Sequence, residues 1–278
     1  MYRKRFGLTG HPMPKNAQGK TFFDHTTNYD RLSNAFRQLL DEPGLGVLTG
    51  EPGVGKTAAL RNQCAALPKP DYLVIYQCDT AVAPLDLYRS LAVELGVRPS
   101  HRRALLWTDI KKALVHMVDE RGTAPIVVID EAHLLNDQFL LDLGGFLNFA
   151  FDSRDLLTLW LVGQTTLRRH LQMQQHLALA MRVAAQVHFE PLTDREAFAT
   201  VIHGCLEAVG GKSKLLGDPA LELLFRSSRG VFRVASRLLR AALRIAHDQQ
   251  QGFVDEHVME LAIDQMFVLA PAGVPTKN

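Results

Sequence analysis

Cysteine is scarce in this 278-residue chain: Cys64, Cys78 and Cys205 are the three, odd in number and without ligand-type spacing. That excludes a disulfide scaffold, offers no zinc motif, and suits thiols packed in a reducing compartment. Long apolar runs are missing as well. No stretch approaches the roughly 18 residues of a membrane span, and no apolar segment follows the opening MYRKRFG, so neither export nor anchoring is expected and the expected location is cytoplasmic. Strong net charge is absent too: 31 Lys and Arg against 29 Asp and Glu leave +2, too little for bulk charge to name a nucleic-acid partner. There is no internal repeat and no low-complexity segment, which excludes solenoids and arrays. What is present is an ordinary globular balance, 47% hydrophobic and 22% charged, in a chain long enough for one large domain and a smaller one.

Against that even background, LTGEPGVGKT at 48–57 packs three glycines, a proline and a lysine behind a short apolar run. Gly50, Glu51, Pro52, Gly53, Val54, Gly55, Lys56, Thr57 and Ala58 cover the spacing G-x-x-x-x-G-K-S/T and the residue after it. Small residues let such a loop wrap phosphates with its backbone N–H groups, and the lysine sets a point charge on the β- and γ-phosphates. Thr57 supplies a hydroxyl oxygen suited to Mg²⁺. GLGVL before the loop reads as a buried strand and KTAALRNQCAAL after it as a helix, the context this spacing requires. The expected ligand is a nucleoside triphosphate.

Four more short β-rich runs follow: YLVIYQ (72–77), PIVVID (125–130), LLTLWLV (156–162) and QVHF (186–189). Helix-length stretches separate them, which predicts a five-stranded parallel sheet covered on both faces, with ligand at the carboxyl ends of the strands. From PLTDRE (191–196) to about Asp264 the pattern is helical, and Thr193 with Glu196 has the spacing of a capping box. The expected organisation is a basic extension over 1–25, an α/β domain over 26–191, a small all-helical lid over 192–266 and a disordered tail over 267–278.

IVVIDEAH (126–133) is a second chemical signal, an apolar strand ending in two carboxylates. Asp130 is placed to hold Mg²⁺ through water, and Glu131 to orient the water that attacks the γ-phosphate. His133 satisfies a local hydrogen bond on this reading and is given no task.

Together the phosphate loop, the DE pair at the end of the third strand, LLTLWLVGQTTL and the lid segment SRGVFRVASRLL resemble an AAA+ P-loop ATPase. Within AAA+, RFGLTGHPMP, FFDHTTNYDRL, LVGQTTLRR and FEPLTDREA are similar to the ExeA, TniB, TnsC and MuB group, which includes ATPases that regulate transposition. The chain departs from ExeA-like sequences at Pro12-Met13 and at Gly163 to Leu167. The resemblance implies that Gln164 is the polar sensor at the end of the fourth strand, Arg182 a finger reaching into a neighbouring subunit's site, and Arg233 the lid arginine that senses nucleotide. It also implies Mg²⁺-dependent hydrolysis of ATP to ADP and phosphate, stimulated by DNA.

Basic residues cluster at the N-terminal Arg3, Lys4 and Arg5, ranked third as a contact for phosphate or a partner protein, and in two further places. Arg233, Arg237, Arg240 and Arg244 recur on one face of a lid helix, and Arg98, His101, Arg102, Arg103, Lys111 and Lys112 surround Trp107. Either face can track phosphates or simply be solvated; the resemblance favours the second, so Arg98, Arg102, Arg103, Lys111 and Lys112 are the expected DNA contacts. The expected function is that of a regulator which oligomerises on duplex DNA as a ring or filament, binds with little sequence preference, selects a target and recruits or activates a transposase, with a target-selection protein as a further partner and no membrane. Two alternatives are an ExeA-type secretion accessory, expected to add a membrane span and wall-binding domain, and a replication initiator or helicase loader, expected to add a winged helix.

Overall fold

The computed structural model describes residues 2–14 and 27–267. The expected tail lies outside the described residues from 268 onward, as do residues 15–25 of the expected extension, Thr26, and with them the whole of FFDHT.

Two compact units divide the chain. The first, Thr27–Pro52 with Ala59–Glu190, is built on five parallel strands: β1 (Leu45–Gly50), β2 (Tyr72–Gln77), β3 (Ala124–Ile129), β4 (Thr158–Gly163) and β5 (Val183–Phe189). Their order across the sheet is β2-β3-β4-β1-β5. Every residue of β1 and β4 is buried, as expected of central parallel strands covered on both faces, whereas edge strand β2 leaves Val74 and Tyr76 exposed. Covering helices are α2 (Thr27–Asp41), α4 (Pro84–Glu94), α5 (Arg103–Arg121), α6 (Asp137–Phe146), α7 (Thr165–Leu171), α8 (Leu177–Ala180) and the later part of α3 (Lys56–Ala65). The register of parallel strands is what makes a site here. Thr49 pairs with Gly163 and His188, while Ile129 pairs with Gln77 and Leu161, so the residues that follow β3 and β4 share one edge with the end of β1.

The second unit collects the described residues before Thr27, the segment Gly53–Ala58 and the described residues from Pro191 onward. Its core gathers Phe6 and Leu8 of the N-terminal segment, which follows α1 (Tyr2–Arg5), with apolar faces of α9 (Arg195–Glu207), α10 (Asp218–Ser228), α11 (Phe232–Asp248) and α12 (Glu256–Phe267). Arg5 donates to the carbonyls of Gln250 and Gln251, just past the end of α11, where carbonyls lack helical partners. Among the described residues no helix is long and apolar enough to cross a membrane.

Two sequence expectations need correction. Helix α9 is capped by Asp194 and not Thr193: the Asp194 carboxylate accepts the Glu196 N–H at 2.9 Å, because the helix begins at Arg195 and Asp194 is the residue left in extended conformation. The thiols are also not uniformly packed, since Cys205 is buried but Cys78, just past the end of an edge strand, is exposed.

Candidate functional site

At the carboxyl edge of the sheet, chain geometry and hydrogen bonding converge on Asp130 and Glu131. Asp130 is 6% exposed, and its N–H donates to the Gln77 carbonyl at 2.8 Å, continuing the β2–β3 ladder one residue past the strand. One carboxylate oxygen accepts the Glu131 N–H at 2.9 Å and the other accepts the Tyr76 hydroxyl at 2.8 Å. Burial, and then the hydrogen bond to Asp130 and its negative charge, hold the Tyr76 phenol well above the ordinary tyrosine range, so it stays a donor at any physiological pH.

Glu131 takes a left-handed backbone conformation, φ 52, unusual for a residue other than glycine. Its carbonyl accepts the Thr80 hydroxyl at 3.1 Å and the Leu134 N–H at 2.9 Å, so the strained position is held from both sides. Strain held in place by its surroundings is characteristic of functional sites. The Glu131 side chain, two residues past the end of β3, is 54% exposed. Next comes a single helical turn, Ala132–Leu134, whose His133 Nδ1 lies 3.5 Å from Glu131 Oε2 and accepts the Gln164 N–H at 3.4 Å. Gln164 caps α7 by position, but its side chain makes no capping bond to that helix. Tyr76 and Thr80 carry no motif in the sequence, and their partners stand 54 and 51 residues away; His133 lies in IVVIDEAH, but its bond to Gln164, 31 residues on, carries no signal there.

The phosphate-type loop belongs in part to the second unit. Gly53 and Gly55 have φ of +88° and +102°, conformations closed to ordinary side chains. The Gly53 carbonyl accepts the Arg233 N–H at 3.0 Å, and a Cβ on Gly53 would meet Arg233 Cβ at 2.7 Å. The lid arginine singled out from sequence is therefore fastened through its main chain to the middle of the loop, at the start of α11. Lys56, 9% exposed, and Thr57 open α3 directly after that loop.

Arg182 stands elsewhere. It immediately precedes β5, whose first residue pairs with Leu45, so it occupies the amino edge of the sheet, opposite Gly50, Asp130 and Gln164. Its guanidinium pairs with Asp152 at 2.7 Å, inside a turn where Ala150, Phe151 and Asp152 all have positive φ.

The expected DNA contacts also separate. Arg98, Arg102 and Lys112 are exposed. Arg103, also exposed, pairs with Asp142 at 2.6 Å and lies over the Trp107 ring. Lys111 donates to the carbonyls of Gly145 and Asn148 at 3.3 and 2.7 Å and faces the Phe149 ring, and burial lowers its pKa. On α11, Arg233, Arg237 and Arg244 are exposed, whereas Arg240 is half-buried and donates to the Met13 carbonyl and the Ser236 hydroxyl.

Residues 38–171 match a family model described as an AAA domain. A relative, general secretion pathway protein A of Aeromonas hydrophila, is 28% identical over 246 residues, spanning 87% of this chain and 44% of the relative, so the chain covers less than half of that protein's length. Among solved structures, the ADP form of the Aeropyrum pernix ORC2 protein superimposes with TM-score 0.65 at 16% identity, over 95% of this chain and 72% of that one. The Aeropyrum pernix ORC1 protein in complex with DNA gives 0.64 at 19%, over 95% and 69%. The AAA domain match, the strand order β2-β3-β4-β1-β5 and these likenesses together give the chain the fold of the AAA+ P-loop NTPases.

Proposed function

We propose that the chain is a Mg²⁺-dependent ATPase, with Glu131 orienting the attacking water and Gln164 sensing the γ-phosphate. Gly50, Glu51, Pro52, Gly53, Val54, Gly55, Lys56, Thr57 and Ala58 would cradle the phosphates, and Arg233 would report nucleotide to the lid. The observation that carries this reading is Glu131 itself: a carboxylate held in a strained backbone conformation beside a buried, multiply bonded aspartate at the ligand-binding edge of a parallel sheet. The Thr57 hydroxyl and Asp130 carboxylate are hard oxygen donors that fit Mg²⁺, which would neutralise charge on the β- and γ-phosphates. Lys56→Ala should lose ATP binding, while Glu131→Gln should retain it and hydrolyse about a hundredfold or more slowly. Nucleotide binding and turnover surviving in both would sink the assignment.

For the biological role, our reading is a regulator that oligomerises on duplex DNA, with Arg182 completing a neighbour's site, selects a target and recruits or activates a transposase. The exposed Arg98, Arg102 and Lys112, the motif resemblance to the TnsC group and a DNA-bound structure of the same fold support it. A second reading, a secretion-linked ATPase, is favoured by the similarity to the Aeromonas protein. Duplex titrations with ATP-loaded protein at two salt concentrations separate them: phosphate-directed binding weakens steeply with salt, and no measurable affinity at low salt would select the secretion-linked role.

A further inference from the structure

We infer that His133 is a positioning residue which couples the orientation of the Glu131 carboxylate to the main chain at Gln164. The inference deepens the ATPase reading and rests on it. His133 Nδ1 faces two groups with opposite demands: the Gln164 N–H at 3.4 Å, which needs an acceptor, and Glu131 Oε2 at 3.5 Å, which needs a donor. A single ring nitrogen satisfies one of them at a time. With Nδ1 bare, it accepts from Gln164 and presents a lone pair to Glu131, so the carboxylate turns away. With the proton on Nδ1, it donates to Glu131, and the Gln164 amide loses its acceptor. The two states of Glu131, held against the imidazole or released from it, are thus tied to the state of the peptide at Gln164.

The surroundings enforce this choice. The His133 side chain is 10% exposed, so water does not readily reach Nδ1 in place of its protein partners, whereas the Glu131 carboxylate, 54% exposed, is free to turn to solvent when the imidazole releases it. The turn that carries it follows the left-handed Glu131 immediately and lies hard against the end of β4: a Cβ on Gly163 would sit 3.0 Å from His133 N and 3.4 Å from its Cβ. Gly163 is what lets the imidazole come within reach of the next residue's N–H. A displacement of Gln164 therefore reaches Glu131 through the two contacts that meet at His133 Nδ1.

The test compares three variants by turnover, ATP affinity and amide hydrogen exchange at Gln164. Asparagine places an amide near the position of Nδ1, and glutamine places it near Nε2. His133→Ala and His133→Gln should lower kcat by about ten- to a hundredfold, with ATP affinity within about twofold of wild type, and His133→Asn should recover most of the loss. Exchange at the Gln164 amide should accelerate in His133→Ala and return towards wild type in His133→Asn. Wild-type turnover in His133→Ala, equal behaviour of the Asn and Gln variants, or unchanged exchange at Gln164 would each overturn the inference. A wild-type protein that binds ATP without hydrolysing it would overturn the ATPase reading, and the exchange measurements would still decide whether the His133–Gln164 bond exists.

Discussion

Glu131 shows most plainly what a single residue gives up for position. An L-residue in the left-handed region is destabilised by roughly 1–2 kcal/mol, and glycine would remove that strain at a smaller entropic cost of about 0.5–1 kcal/mol. Glu131→Gly should therefore be more stable than Glu131→Gln by about 0.5–1 kcal/mol in urea unfolding, while both lose turnover. A glycine variant less stable than the glutamine variant would mean that the backbone there is not strained. The thiols make a second residue-scale prediction. Burial pushes Cys64 and Cys205 up to about 12. At pH 8 a thiol of that pKa is thiolate in about one molecule in ten thousand, and thiolate is the reacting form. Exposed Cys78 should therefore give the fast phase with a thiol reagent, and Cys78→Ser should abolish it; a fast phase surviving in Cys78→Ser would contradict the raised pKa of half-buried Cys64 or buried Cys205.

Among elements, the strands were the most legible, because five apolar runs bounded by turn residues and spaced by helix-length segments leave little choice but a parallel sheet. Strand ends were legible for the same reason: GEPGVGKT and DEAH stand where an apolar run stops. Side chains that brace those ends were not, since Tyr76 and Thr80 find their partners only through register, as His133 of DEAH does when it meets Gln164. Helix α5 shows the opposite failure. Its basic residues read from sequence as one cluster, yet Lys111 caps the carbonyls at the end of α6 and Arg103 pairs with Asp142, while Arg102 and Lys112 reach solvent. Charge in a sequence does not reveal which cations the protein itself already holds. The two sets should separate by experiment. Lys111→Met removes the donor to two exposed carbonyls, which water can replace, and should destabilise the sheet unit by about 0.5–1.5 kcal/mol, read as a shifted unfolding midpoint. Reversing Arg98, Arg102 and Lys112 to glutamate should leave that midpoint nearly unchanged and lower duplex affinity at low salt by about tenfold or more. Full DNA affinity in the triple reversal would remove this face from the proposed interface.

At the scale of the whole molecule, the decisive geometry is that Arg182 and the carboxylate pair occupy opposite edges of one sheet. β1 and β5 run in register from Leu45 opposite Val183 to Gly50 opposite Phe189, so Arg182 is separated from the carboxyl edge by the length of the strand, about 20 Å at 3.3 Å per residue. No rotamer spans that distance. If Arg182 serves a phosphoryl transfer, it serves another copy's, and the Asp152 pair must open when the copies meet. Hydrolysis per subunit should then rise with protein concentration and plateau as oligomers form. Arg182→Ala should bind ATP with near-normal affinity yet stay at the low, concentration-independent rate, a drop on the order of a thousandfold if the guanidinium acts as a finger. Asp152→Asn removes the competing charge while keeping the turn's shape, and should shift the rise to lower concentration. Mixing Arg182→Ala with Glu131→Gln supplies an intact guanidinium from one protein and an intact carboxylate from the other, so mixed interfaces should recover part of the turnover that each lacks alone. A dilute wild-type protein hydrolysing at the full rate, or mixtures no more active than their components, would remove Arg182 from catalysis and leave it as one half of a surface ion pair.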